Sequence, residues 1–288
     1  MCDMCMKHGK NGKWYLNAKN YIKETYDATN SVEYLEDFWG NMERTNVQKV
    51  FKVMNMKWVS TKVKTPLLGR ILKWYANRGF KKEKRLNTKA AQGHYGQVIP
   101  LEESQVIVRE KAQVVAKAIC PCKYFNKGIK EATCLGFSPL IEVLPKLPRF
   151  IPETGVEIME GDKAATFLEE MSEKGYVHTI WCGPLPAIAA VCSCDLPACG
   201  ALRLRRDFDI KACFKGEYIA QLDQNKCVGC GKCVSRCQFN AISFSPLMNH
   251  PIIKDEACFG CGLCRDACEA QAISLIDRDA NPITRGKY

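Results

Sequence analysis

The sequence predicts an α+β chain in which a short strand–loop–helix–strand unit is repeated near the C-terminus. A mixed α/β, Cys-rich domain precedes the repeat, and a basic, largely helical N-terminal region precedes that. Three observations carry this layout. Cysteine is abundant, with 18 residues, many of them gathered in tight C-x-x-C and C-x-C groups. A run of four Cys recurs at an offset of 31 residues. The net charge sits in the first third: residues 1–90 carry 19 Lys and Arg against 8 Asp and Glu, while the remainder balances at 23 and 23.

A chain of 288 residues holds about two domains at roughly 100–200 residues each. The composition shifts divide it into residues 1–90, 91–213, 214–280 and a tail, 281–288. No apolar run approaches the roughly 20 residues that a membrane-spanning helix needs. The longest, Pro184 to Val191, is interrupted by Pro186. The polar start, Met1 to Gly9, lacks the apolar stretch of a secretory signal, so a cytoplasmic location is expected. In an intracellular chain, Cys at these spacings act as metal or cluster ligands rather than as disulfides.

Periodicity places the elements. In the basic region Val47, Val50, Phe51, Met54 and Trp58 share one helix face, and Leu67, Leu68, Ile71, Leu72 and Tyr75 share another. Glu102 to Ile119 reads as a helix with Val106, Val114, Val115 and Ile119 among its apolar positions. Asp162 is placed to cap a helix over Ala164 to Lys174, and Gly175 to end it. Tyr176 to Ile180 then reads as a strand. Pro139 to Pro152 reads as a loop or extended crossing. In the repeat, Ile219 to Leu222 and Ile252-Ile253 supply the leading strands, and Ala241-Ile242-Ser243 matches Ala272-Ile273-Ser274.

The repeated motif is Cys227-Val-Gly-Cys230-Gly-Lys-Cys233-Val-Ser-Arg-Cys237, then Cys258-Phe-Gly-Cys261-Gly-Leu-Cys264-Arg-Asp-Ala-Cys268. Two residues between Cys let three consecutive thiolates reach three iron corners of one cubane. The interleaved glycines let the backbone wrap closely and aim amides at the sulfides. Zinc, which C-x-x-C pairs also bind, is the alternative. Residues 217–277 resemble the bacterial two-cluster 4Fe–4S ferredoxins. That resemblance implies a ferredoxin-like dicluster module with a pseudo-two-fold repeat. It also implies one cluster on Cys227, Cys230, Cys233 and Cys268, and another on Cys258, Cys261, Cys264 and Cys237. One feature departs from the family: Gln238 and Glu269 stand where Pro usually follows the fourth Cys. Ile219, Val228, Ile242, Phe244, Ile253, Phe259 and Ile273 are expected to shield the clusters.

Six further Cys gather in the middle region: Cys120-Pro-Cys122, Cys134-Leu-Gly-Phe137, Cys192-Ser-Cys194 and Cys199-Gly200. They point to a third metal site, an iron–sulfur cluster or zinc, with the ligand subset open. Buried free Cys packing as small hydrophobes is the other reading. These segments, with Val177-His178 and the repeat that follows, resemble poorly characterised 4Fe–4S dicluster proteins of anaerobes that carry an extra Cys-rich N-terminal domain. His178 itself reads as a satisfied strand histidine ahead of a ligand. Cys2-x-x-Cys5-x-x-His8 offers three ligands for a zinc or iron–sulfur site, with a frayed terminus as the alternative.

The stretch Pro66 to Tyr75 with Arg78, Lys81, Lys82, Lys84 and Arg85 is basic and amphipathic. It suits docking on an acidic redox partner, peripheral contact of residues 62–85 with an anionic membrane, or packing on the chain's own core. Nucleic acid is not expected, as no binding motif accompanies the charge. No nucleotide or flavin loop is visible, Gly93-His-Tyr-Gly96 being too short. The expected function is single-electron relay, as a carrier or as a subunit of an anaerobic redox complex, ahead of a stand-alone enzyme. The alternative is a catalytic iron–sulfur oxidoreductase with a substrate-binding cluster in the middle domain, near His178 and Cys182.

Overall fold

A computed structural model describes residues 12–21, 52, 61–82, 96–138, 140–143, 156–182 and 188–288. The expected helix face over Val47 to Trp58, and the Cys2, Cys5 and His8 group, lie outside the described residues.

Seven strands form one sheet: β1 (Gly96–Val98), β2 (Val115–Ile119), β3 (Ala132–Phe137), β4 (Glu157–Met159), β5 (Val177–Cys182), β6 (Ile188–Cys194) and β7 (Cys213–Phe214). Their order is β4-β2-β3-β6-β5-β1-β7. All neighbours are antiparallel except β1 and β7. The helices are α1 (Pro66–Lys82), α2 (Leu101–Val106), α3 (Pro121–Lys127), α4 (Leu140–Val143), α5 (Gly161–Glu173), α6 (Gly200–Phe208), α7 (Lys232–Arg236) and α8 (Leu263–Asp266).

Strand alternation divides the sheet's two faces. Leu135, Phe137, Ile180 and Val191 point one way, into a core filled by Ala164, Ala165, Phe167, Leu168 and Met171 of α5. Val177, Trp181, Cys192 and Cys194 belong to a second core with Leu202 of α6 and Phe239, Phe259 and Leu263 of the C-terminal module. Cys134 is the register partner of Cys192, so it stands on that second face.

Three expectations change here, the first being the loop expected over Pro139 to Pro152, where Leu140–Val143 forms helix α4. The helix expected over Glu102 to Ile119 stops early: α2 ends at Val106, a wide π-type turn covers Ile107–Lys111, and Val115–Ile119 is strand β2. The β-branched Val114-Val115 pair suits a pleated surface, and both edges of β2 find ladder partners, β3 and β4. The middle helix α5 is present, but Glu160 rather than Asp162 occupies its N-cap. Asp162 lies in the first turn and pairs with Arg109 at 2.9 Å, where a carboxylate favours the helix dipole.

The N-terminal segment enters the core. Trp14, Tyr15 and Tyr21 are buried with the residues of α5 and the sheet. Trp14 Nε1 donates to Gln97 Oε1 at 2.5 Å, and Tyr15 OH donates to Glu103 Oε2 at 2.6 Å. Helix α1 docks through Leu72, which joins Val63, Leu204, Phe208 and Ala212, and through Asn77, whose Oδ1 accepts from Lys211 N at 2.8 Å. Most of its predicted apolar face looks outward: Leu67, Leu68, Ile71 and Tyr75 are exposed. Among the described residues no helix is long and apolar enough to cross a membrane.

The C-terminal module has two strand pairs. Strand β8 (Tyr218–Leu222) pairs with β11 (Ile273–Asp277), and β9 (Ile242–Ser245) with β10 (His250–Ile253). The first strand thus closes on the last. The chain end folds back on the module: Thr284 is buried, and its Oγ1 donates to Arg278 O at 2.9 Å.

Candidate iron–sulfur sites

Each Cys run leaves a strand, turns through two left-handed glycines and enters a short helix. Gly229 and Gly231 have φ near +70°, and Gly260 and Gly262 have φ of +71° and +87°. These values favour glycine. Gly260 also meets a steric limit, since a Cβ there would lie 2.1 Å from Tyr218 O on β8.

Two recesses result. The first, of about 340 Å³ counting its open mouth, is lined by Cys227, Cys230, Cys233 and Cys268. The second, of about 350 Å³ on the same measure, is lined by Cys237, Cys258, Cys261 and Cys264. Each draws three Cys from one run and the fourth from the other. Backbone amides point at the sulfurs: Ala220 N donates to Cys258 Sγ at 3.4 Å, Ala241 N to Cys237 Sγ at 3.3 Å and Ala272 N to Cys268 Sγ at 3.3 Å. Among the described residues no group of His, Cys, Asp or Glu is arranged to hold a single metal ion. Four sulfurs around a volume, rather than around a point, fit a cubane better than a tetrahedral zinc ion. Burial pushes the Cys261 thiol up to about 12 and raises Cys258 and Cys264 as well. Ligation would displace those protons.

The two recesses differ in exposure. Cys230 is exposed and Val228 is 70% exposed, so the first recess meets solvent. The second is lined by Phe239 and Phe259, stacked at 3.9 Å, and two of its four Cys, Cys258 and Cys264, are buried. Of the expected shielding residues, Val228 and Ile273 line the first recess, and Ile242 and Phe259 line the second. Ile219 is buried behind them, while Phe244 lies at the surface because its strand pairs only with β10.

Arg278 is fully buried beside the second recess. Its Nε donates to Gly216 O at 2.6 Å, and its Nη2 to Tyr218 O at 2.8 Å and Cys258 O at 2.9 Å. Burial lowers its pKa from the ordinary arginine value, yet a guanidinium stays charged. A fixed cation therefore sits next to Cys258. In sequence, nothing distinguishes Arg278 from its charged neighbours.

Gln238 explains one departure from the ferredoxin pattern. Its Oε1 accepts from Leu196 N at 2.6 Å, and its Nε2 donates to Gly175 O. The side chain straps the module to the middle domain, which proline cannot do. Glu269, at the matching position, pairs instead with Lys232 at 2.5 Å on the surface. Arg265 adds a two-pronged pair with Glu102, at 2.7 and 2.8 Å.

The six middle Cys come together. Cys120 neighbours Cys122 and Cys134. Cys134 also contacts Cys192, and Cys192 contacts Cys194. Cys194 contacts Cys199, and Cys199 contacts Cys122. The circuit closes on itself. Strand register sets Cys134 opposite Cys192. Cys120 and Cys199 occupy the N-caps of α3 and α6. The neighbouring thiols of Cys122 and then Cys134 hold Cys120 well below the usual thiol range, and those of Cys192 and Cys199 lower Cys194. Cys122 and Cys134 are raised, first by the neighbouring Cys120. His178 and Cys182 do not join them. His178 alternates onto the α5 side of the sheet, where its Nδ1 meets Ser193 Oγ at 3.2 Å, and Cys182 belongs to the α5 core. Cys213 is buried on β7.

The family model of the 4Fe-4S dicluster domain matches residues 220–275. No match is found among curated proteins. The C-terminal module is therefore a 4Fe–4S, iron–sulfur module of the electron-transfer kind. The match includes both Cys runs and none of the six middle Cys.

Proposed function

We propose that this protein relays single electrons through two 4Fe–4S clusters, as a carrier or as a subunit of a cytoplasmic redox complex in an anaerobic host. The observation that carries the reading is the pair of recesses, each ringed by four Cys of the dicluster motif. Cys227, Cys230, Cys233 and Cys268 would hold one cluster, and Cys258, Cys261, Cys264 and Cys237 the other. Each cluster, when bound, supplies one-electron chemistry within a range of about −700 to +450 mV.

The chain's own residues do the rest. The thiolates fix position. The amides of Ala220, Ala241 and Ala272 stabilise negative charge on sulfur. Ile242, Phe259 and Ile273 keep water from the recesses. Exposed Cys230 and Val228 give a partner close approach to the first recess. In this division residues 214–280 carry electrons, residues 91–213 form the platform behind them, and residues 1–90 supply basic docking. Helix α1, with Leu67, Ile71 and Tyr75 exposed beside its Lys and Arg, supports contact with an acidic partner protein. Flotation with anionic liposomes tests the membrane alternative. Among the described residues of the middle domain, six thiols converge rather than too few, and His178 and Cys182 face away, which favours the relay over the catalytic reading.

The test is iron and acid-labile sulfide per chain on anaerobically purified protein, with EPR after dithionite reduction. The module alone should give about eight of each, and Cys233→Ser and Cys264→Ser should each lose about four. A module that takes zinc, or iron that is unchanged in both variants, would overturn the reading.

A further inference from the structure

Six buried or half-buried thiols, none of them in a disulfide, lie in one closed circuit. Cys used as small hydrophobes pack against carbon. Here each sulfur has two sulfur neighbours, and the six come from four separate stretches of chain. The folding cost of bringing them together is not repaid by thiol–thiol contacts, which are weak hydrogen bonds.

The chemistry around the circuit suits negative charge. Cys199 stands at the N-cap of α6, where the start of the helix favours negative charge. Thr179 Oγ1 lies 3.4 Å from Cys194 Sγ, and Trp181 Nε1 donates to Thr179 Oγ1 at 2.7 Å. Six sulfurs exceed the four that a single tetrahedral ion accepts. The set therefore fits a polynuclear core.

Its location decides which core. Cys192, Cys194 and Cys199 share one apolar core with Cys237 and Cys261 of the second recess, and with the stacked Phe239–Phe259 pair. Gln238, next to Cys237, holds Leu196, two residues from Cys194. The circuit thus adjoins the second recess, whose Cys237 and Cys261 share its apolar core. Zinc there would be redox-inert.

We infer that Cys120, Cys122, Cys134, Cys192, Cys194 and Cys199 form the site of a third iron–sulfur cluster, set in line behind the two of the C-terminal module. The inference rests on the module being loaded as proposed above. Six thiols supply two more than a cubane takes, so no iron corner need be left open for a substrate.

The test uses the full chain, isolated anaerobically and reconstituted with iron and sulfide. Wild type should hold about twelve iron and twelve sulfide. Cys134→Ala/Cys192→Ala should hold about eight, with the dithionite-reduced EPR signal of the module kept, and Cys182→Ala should match wild type. Eight iron in wild type and in the double variant alike, or zinc in the circuit with iron at eight, overturns the inference and leaves the module reading standing. Iron that survives Cys233→Ser and Cys264→Ser but falls with the middle variant overturns the module reading instead. Should the double variant not fold, a redox-poised EPR titration of wild type decides: three one-electron components support a third cluster, and two refute it.

Discussion

Gly260 and Gly231 share a left-handed backbone but not a neighbourhood, and replacing each by Ala separates the two effects. Conformation alone costs Ala about 1–2 kcal/mol in the left-handed region, and Gly231→Ala should show little more, because the nearest atom to its Cβ is Phe244 Cδ2 at 4.0 Å. Gly260→Ala adds a collision: its Cβ would lie 2.1 Å from Tyr218 O and 2.8 Å from Tyr218 C. An ordinary carbon–oxygen contact is about 3.3 Å or more, so β8 must retreat by roughly 1 Å. That movement strains the bonds of Arg278 Nη2 to Tyr218 O, 2.8 Å, and of Ala220 N to Cys258 Sγ, 3.4 Å. With about 1–2 kcal/mol for each bond lost, Gly260→Ala should be destabilised by roughly 3–6 kcal/mol. The loss falls on the second recess, so iron should drop by about four per chain while the first recess stays loaded. The assay is iron and sulfide per chain together with the urea midpoint, both under argon. Equal loading and equal midpoints in the two Ala variants would refute the role assigned to the Tyr218 carbonyl.

Further outcomes follow from single side chains. Gln238→Leu leaves Leu196 N without its partner. The expected loss is about 1–3 kcal/mol, seen as a lower melting temperature with module iron unchanged, and an unchanged melting temperature would count against the strap. Arg278→Met removes the cation beside Cys258. The potential assigned to the second recess should fall on the order of 60 mV, about 1.4 kcal/mol for one electron, measured by EPR-monitored titration; no shift would mean the charge is screened. His178 is buried and its pKa is pushed down to about 4 by desolvation. Its unfolded value is near 6.5, so unfolding takes up a proton between those two values. Stability is therefore full above pH 6.5 and declines as pH falls toward 4. At pH 5 the loss is about 2 kcal/mol. His178→Gln should flatten that slope in paired urea midpoints at pH 7 and pH 5, and a wild type as pH-insensitive as the variant would contradict it.

The Cys spacing by itself determined the dicluster module, because ligands for one cubane must come from a short loop and spacing is a local property. The same locality made α5 and the strand after Gly175 readable. Strand β2 is not legible in the sequence because Val106 to Ile119 carries apolar residues that fit either period. Only β3 and β4 on its two edges decide for a strand. Gln238 was visible as a departure from the ferredoxin pattern, but its reason lies in Leu196 and Gly175, far off in sequence. Arg278 looked ordinary until burial made it a fixed charge. The six middle Cys could be picked out as chemistry-bearing, yet not joined. Cys134 meets Cys192 through sheet register, and Cys122 meets Cys199 through two helix starts that converge. Sequence records which groups can bind a metal. Tertiary structure decides which of them meet, since pairing and packing act between residues that the chain order keeps apart.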